Sequence, residues 1–279
     1  MKQGRASSTL IPDGDALFWA DPSGLLEPSR RVGRSRACVS PSGGHPNVDV
    51  IPVIDLMDGR VAHARRGERG AYRPIESPLA PGAEPLATAA ALLALAPFRT
   101  LYVADLDAIL NRGGHDEVIA AIAAAHPGLE IWVDRGAAPG RAGTPIVGTE
   151  SHADACSLHD ALQGDAILSL DHDADGPLGP RDAHDQPERW PRRVIAMTLA
   201  RVGAGAGPDL GRLAEVLAKA GPERQVFAAG GVRGEDDLQA LASLGVAGAL
   251  VATALHDGRI GAETVRRLAE GTPRTPPRP

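Results

Sequence analysis

The chain is short of aromatic residues, cysteines, long apolar runs and basic blocks, and each shortage narrows what it does. Only 3% of its 279 residues are aromatic, too few for a surface on which bases stack. The net charge is −6, and no block of Lys and Arg falls inside the region expected to fold, which argues against nucleic acid as the main partner. The two cysteines, Cys38 and Cys156, form neither a disulfide framework nor a spaced metal set. His63, His152, His172 and His256 lack metal-ligand spacing, so neither metal nor cofactor is expected. No apolar run approaches the roughly 18 residues of a membrane span, and the opening residues lack the apolar core of a signal peptide. The expectation is a soluble, cytoplasmic protein with no membrane partner.

What is present is a core. Hydrophobic residues make up 43% of the chain, mostly Ala, Leu and Val. Residues 1–47 stand apart, dominated by Ser, Pro, Gly and Arg, and the composition predicts a disordered extension. A start codon set too early would also explain it. Residues 272–279 read as a flexible tail, leaving residues 48–271 as the folded domain.

Within that domain eight short apolar runs follow one another: Val50–Asp55, Thr100–Ala104, Glu130–Val133, Pro145–Val147, Ala166–Leu170, Val194–Met197, Val226–Ala229 and Ala247–Val251. Their hydrophobicity is continuous rather than alternating, as in parallel strands buried on both faces. Helical spacing appears between most of them, at about 84–96, 115–125, 152–161, 208–220, 235–244 and 262–270. The third crossover carries Pro139, Gly140 and Gly143 where a helix would sit. Gly59–Ala83 reads as a long loop, and no antiparallel hairpin is expected. The pattern predicts a closed (β/α)₈ barrel, with an open doubly wound sheet as the alternative.

The two halves echo each other. Val147-Gly148-Thr149 matches Val251-Ala252-Thr253, and Val53-Ile54-Asp55 resembles Ser169-Leu170-Asp171. The first strand thus corresponds to the fifth, and the fourth to the eighth. Asp55 and Asp171 end opposite strands on the face where such barrels hold their sites. There two carboxylates can divide base and acid roles, though each Asp can equally cap a turn. Gly230, Gly231, Ala252 and Thr253 end the last two strands with small residues that let backbone amides approach a phosphate. Their repeat partners are Arg135, Gly136, Gly148 and Thr149, so two phosphate grips are expected, one at each side of the mouth. Arg135 can equally pair with Asp134 in a structural bridge. Thr198 offers a hydroxyl at the end of the sixth strand. Asp105, at the end of the second, can position substrate or cap a helix. Gly203–Gly207 reads as a mobile loop or a plain connection.

The stretches Ile51–Arg60, Ala104-Asp105-Leu106, Ser169-Leu170-Asp171 and Ala228–Arg233 resemble the HisA/HisF family of phosphate-binding barrels, which act on bisphosphate intermediates of histidine biosynthesis. The resemblance covers about residues 48–271. It implies Asp55 as base, Asp171 as acid, Thr198 as a further site residue, and a phosphate at Gly230, Gly231, Ala252 and Thr253. The expected reaction is an Amadori-type aldose–ketose isomerisation of a phosphorylated aminosugar. Two departures stand out. Asp134 falls where the family has a Gly-rich turn, and a like charge there costs of order 1–4 kcal/mol against a phosphate. Ala252-Thr253 replaces the family's more usual Gly-Arg or Gly-Ser. Several segments are similar to a side branch found in methane-producing archaea and one-carbon-using bacteria. Two alternatives follow: a different phosphosugar reaction in making a one-carbon carrier cofactor, or a phosphometabolite-binding partner subunit without catalysis. Assembly as a homo-oligomer is left open.

Overall fold

A computed structural model of the chain describes residues 47–64, 70 and 72–270. The extension expected over residues 1–47 falls, but for Asn47, outside the described residues, as does the tail at 272–279. The eight apolar runs are the eight strands of a closed parallel barrel: β1 Asp49–Met57, β2 Thr100–Asp105, β3 Glu130–Asp134, β4 Thr144–Gly148, β5 Ile167–His172, β6 Arg193–Thr198, β7 Gln225–Ala229 and β8 Gly248–Val251. Each pairs with the next, and β8 closes on β1 with Asp49 opposite Gly248 and Pro52 opposite Val251.

Strand alternation sorts the core into two layers. Ile51, Tyr102, Trp132, Ile146, Ile167, Ile195, Phe227 and Leu250 point inward and fill the barrel. Trp132 and Phe227 meet edge to face across it, with ring centroids 4.9 Å apart. The intervening residues, among them Ile54, Val103, Val133, Leu168 and Val226, pack outward against the helices. Helix Glu235–Leu244 shows how those helices are specified. Three acidic residues occupy its first turn, where they complement the helix dipole. Gly245 ends it in the left-handed conformation at φ 93°. Leu238 and Leu241 are fully buried, each contributing about 2 kcal/mol of burial.

The third crossover is indeed helix-free, and Gly143 explains its tight path. Its φ is +75°, and a Cβ there would lie 2.6 Å from the Ile131 carbonyl oxygen. The segment after Gly59 departs from expectation. Instead of a loop, β1 runs beyond the barrel rim and folds back as an antiparallel strand, Arg60–His63, with Asp55 opposite Ala62 and Met57 opposite Arg60. A short strand, Arg73–Pro74, adds to its edge. The reason lies in Asp58-Gly59, whose φ values of 50° and 72° are those of a two-residue type I′ turn. Among the described residues, no helix is long and apolar enough to cross a membrane.

Candidate active site

A cavity of about 500 Å³ opens at the carboxyl ends of the strands. Both Asp55 and Asp171 line it, from strands on opposite sides of the eight-stranded ring. Burial pushes the Asp55 carboxyl up to about 7, with the charge of Asp134 adding to the effect. Burial likewise pushes Asp171 up to about 7, against the lowering effect of hydrogen bonds from Ser169 and the Glu150 amide. Two carboxyls half-protonated at neutral pH are what paired acid–base work requires.

Asp171 is held from several sides. Ser169 Oγ donates to Oδ1 at 2.6 Å, and the Glu150 amide donates to Oδ2 at 3.1 Å. Thr149 Oγ1 lies 3.4 Å from Oδ2 and accepts from the Asp171 amide at 2.9 Å. Gly148 makes room for this carboxylate, since a Cβ there would lie 2.8 Å from Oδ2. A third carboxylate, Asp134, also lines the cavity. It accepts from Tyr102 Oη at 3.2 Å and from the Gly136 amide at 2.9 Å. The Tyr102 phenol is held well above its ordinary value, first by burial and then by Asp134, Asp55 and Asp171.

The other side of the mouth is chemically different. Gly230, Gly231, Ala252 and Thr253 line the cavity beside His63, His256, Arg233 and Arg259. Gly231 is required where it stands: its φ is +90°, and a Cβ would lie 2.2 Å from the Gly207 carbonyl oxygen. Gly203, Ala204 and Gly205 also line the cavity. Arg201 secures that loop by donating to the carbonyls of Ala206 and Gly207, at 2.9 and 3.4 Å. Thr253 Oγ1 is 3.4 Å from His63 Nε2.

Three expected site residues are placed elsewhere. Arg135 follows Asp134 on the strand path and so turns to the opposite face, where it pairs with Asp116 at 2.6 Å and the Ala142 carbonyl at 2.8 Å. It makes no bridge to Asp134 among the ion pairs of the described residues. Asp105 is buried and receives the Ala108 amide at 3.2 Å and the His115 amide at 2.7 Å, facing His115 Nδ1 at 2.8 Å. Thr198 has the outward parity of β6, with Met197 pointing inward, and is 7% exposed. Gly136, Gly148 and Thr149 reach the site only through the two carboxylates they surround. No group of His, Cys, Asp and Glu among the described residues forms a metal set.

Sequence reasoning passed over Tyr102, Glu150, His63 and His256 as cavity residues. Tyr102 had a signal. It is one of two tyrosines in the chain, the other, Tyr72, also lines the cavity, and it lies opposite Val53 on the inward parity.

Fold and site together define a (β/α)₈ barrel with a carboxylate-lined mouth. A family model described as histidine biosynthesis protein matches residues 184–261. An isomerase of Rubrobacter xylanophilus, named for a phosphoribosyl imidazole-4-carboxamide, is 31% identical over 248 residues, covering 80% of this chain and 97% of that one. Phosphoribosyl isomerase A of Streptomyces griseus is 28% identical, covering 76% of this chain and 93% of its own. An uncharacterized protein of Methanocaldococcus jannaschii is 29% identical over 77% of this chain and 96% of its own. The chain belongs to the HisA/HisF-like histidine biosynthesis family, several of whose named members are isomerases.

Proposed function

We propose that the protein isomerises a phosphorylated aminoaldose to the corresponding aminoketose. The observation that carries this reading is the pair Asp55 and Asp171, two carboxyls from β1 and β5 facing one cavity and each raised to about 7. Protonated Asp171 gives its proton to the ring oxygen of the bound sugar, and the C1–O bond breaks to leave a C1=N iminium. Ionised Asp55 then removes the C2 proton to form an enaminol. Protonation at C1 and loss of the hydroxyl proton at O2 complete the ketose, with no net change in atoms or electrons. The backbone at Gly230, Gly231, Ala252 and Thr253 suits a phosphate. Arg233 and Arg259 stand beside it, each paired with a carboxylate, Asp237 and Asp257. The hairpin after β1 walls the cavity through Ala62, His63 and Ala64, keeping water from the open-chain intermediate.

The test is to incubate the purified chain with a set of N-glycosylamine phosphates and follow ketose formation by carbon NMR. Asp55→Asn and Asp171→Asn are each expected to lower turnover by about a hundredfold or more, the usual scale for acid–base groups. Unchanged turnover in either variant removes that residue from the mechanism.

A further inference from the structure

The two amides that a first phosphate grip would use are already taken by the protein's own carboxylates. At the exit of β3, the Gly136 amide donates to Asp134 Oδ1 at 2.9 Å. At the exit of β4, the Glu150 amide donates to Asp171 Oδ2 at 3.1 Å. Glu150 itself lines the cavity there. The cation that sequence places beside this pole, Arg135, faces away and is bonded to Asp116. An incoming phosphate would have to displace Asp134 or Asp171 from these donors and would face further negative charge. At the exits of β7 and β8 the corresponding positions are Gly230, Gly231, Ala252 and Thr253. They open onto the cavity with Arg233 and Arg259 nearby; Arg259 pairs with Asp257, which also lines the cavity, and Arg233 pairs with Asp237. Among the described lining residues, the charged groups on the β3–β4 side are thus the carboxylates Asp134, Glu150 and Asp171, whereas the β7–β8 side has arginines paired with carboxylates.

We propose that the ligand carries a single phosphate, bound at the exits of β7 and β8, and that Asp134 is the specificity-determining residue that turns a second phosphate away. The far end of the ligand carries hydrogen-bond donors, hydroxyl or amino groups, that Asp134 and Glu150 accept. Tyr102 donates to Asp134 Oδ2 at 3.2 Å and so fixes the carboxylate that makes this choice. The substrate class is a sugar phosphate monoester with an amino-bearing end rather than a sugar bisphosphate. This inference rests on reading the cavity as a phosphosugar site.

The experiment is titration calorimetry of the full chain with glucosamine 6-phosphate and with fructose 1,6-bisphosphate as probes. The monophosphate is expected to bind about tenfold more tightly, the scale of one like charge near the mouth. Asp134→Gly, which removes the carboxylate and frees the Gly136 amide, is expected to shift the ratio of the two affinities toward the bisphosphate by about tenfold or more. Asp134→Asn, which keeps the shape, should shift it in the same direction. Tighter binding of the bisphosphate by the native chain overturns the proposal. So does a ratio that neither variant moves, and so does failure of the monophosphate to bind at millimolar concentration. Calorimetry reads binding without turnover. A chain that prefers the monophosphate and isomerises nothing refutes the isomerase reading alone, and one that isomerises but prefers the bisphosphate refutes this proposal alone.

Discussion

The exits of β3 and β4 and the exits of β7 and β8 occupy equivalent places in a repeated half-barrel, yet they have opposite chemistry. Trp132 and Phe227 mark the equivalence, meeting edge to face from the inward positions of β3 and β7. Two residues on, β7 has Ala229 where β3 has Asp134. The aspartate takes the Gly136 amide of its own turn, whereas in the turn after β7 the Arg233 amide goes to Asp237 on the following helix. The same division holds one strand later. Ala252 and Thr253 face the cavity, while Gly148 and Thr149 are folded around Asp171. One half of the barrel turns its donors onto carboxylates of the cavity itself, and the other is the side we propose for an external anion.

The comparison can be broken in several ways. The largest effect is on turnover, where the losses of about a hundredfold expected for Asp55→Asn and Asp171→Asn would fail to appear if the acidic half served only to hold structure. With both carboxyls near 7, the pH–rate profile should be a narrow bell centred near neutrality, its two limbs belonging to the pair rather than to either residue. A flat profile between pH 6 and pH 8, on the order of those values, would contradict the pairing.

A smaller effect separates the two turns directly. Gly231→Ala forces a Cβ to 2.2 Å from a backbone oxygen at φ +90° and is expected to cost about 3 kcal/mol in denaturant unfolding. Gly136→Ala, at φ +61° and 3.1 Å from Ser151 Oγ, is expected to cost about 1 kcal/mol. Equal costs would mean the two turns are not differently constrained.

Stability also changes on neutralising Asp55. A carboxyl raised from 3.8 to about 7 binds more protons in the folded than in the unfolded chain, so its contribution is greatest below pH 3.8 and is lost as pH rises through about 7. Asp55→Asn should therefore stabilise the fold at alkaline pH by up to about 4 kcal/mol, while lowering turnover as above. The histidines act in the opposite sense. Burial lowers His172 and His256 to about 4, so their contribution is present above the ordinary histidine value and is lost as pH falls through about 4. The smallest effect is for Arg233→Ala at the phosphate side. Its half-exposed side chain pairs with Asp237, so the change should leave stability nearly unchanged and weaken phosphate binding a few-fold, more so at low salt.

Much of the fold was legible because each barrel strand is a continuous apolar run bounded by punctuation. Asp55 and Asp171 were legible as residues facing one cavity because they end such runs at repeat-equivalent places. What escaped was set by geometry that periodicity does not carry. The Asp58-Gly59 turn is a strong hairpin signal, but the apolar residues after it are few, and the segment reads as a loop. Arg135 sits next to Asp134 in sequence, yet the pleat sends neighbours to opposite faces, and its partner, Asp116, lies nineteen positions back. Asp105 looks like Asp55 at the end of a strand. Only the close approach of His115 and of the Ala108 amide gives it a different job.

The strand that carries Asp55 has two neighbours at that residue, Ala104 of β2 on one side and Ala62 of the returning hairpin on the other. Asp55 and the hairpin that roofs it are thus one continuous piece of backbone. Peeling the roof back would admit water to the carboxyl and let its proton affinity relax to that of an ordinary aspartate. If Asp55 is the base we propose, its reactivity is in this way tied to enclosure.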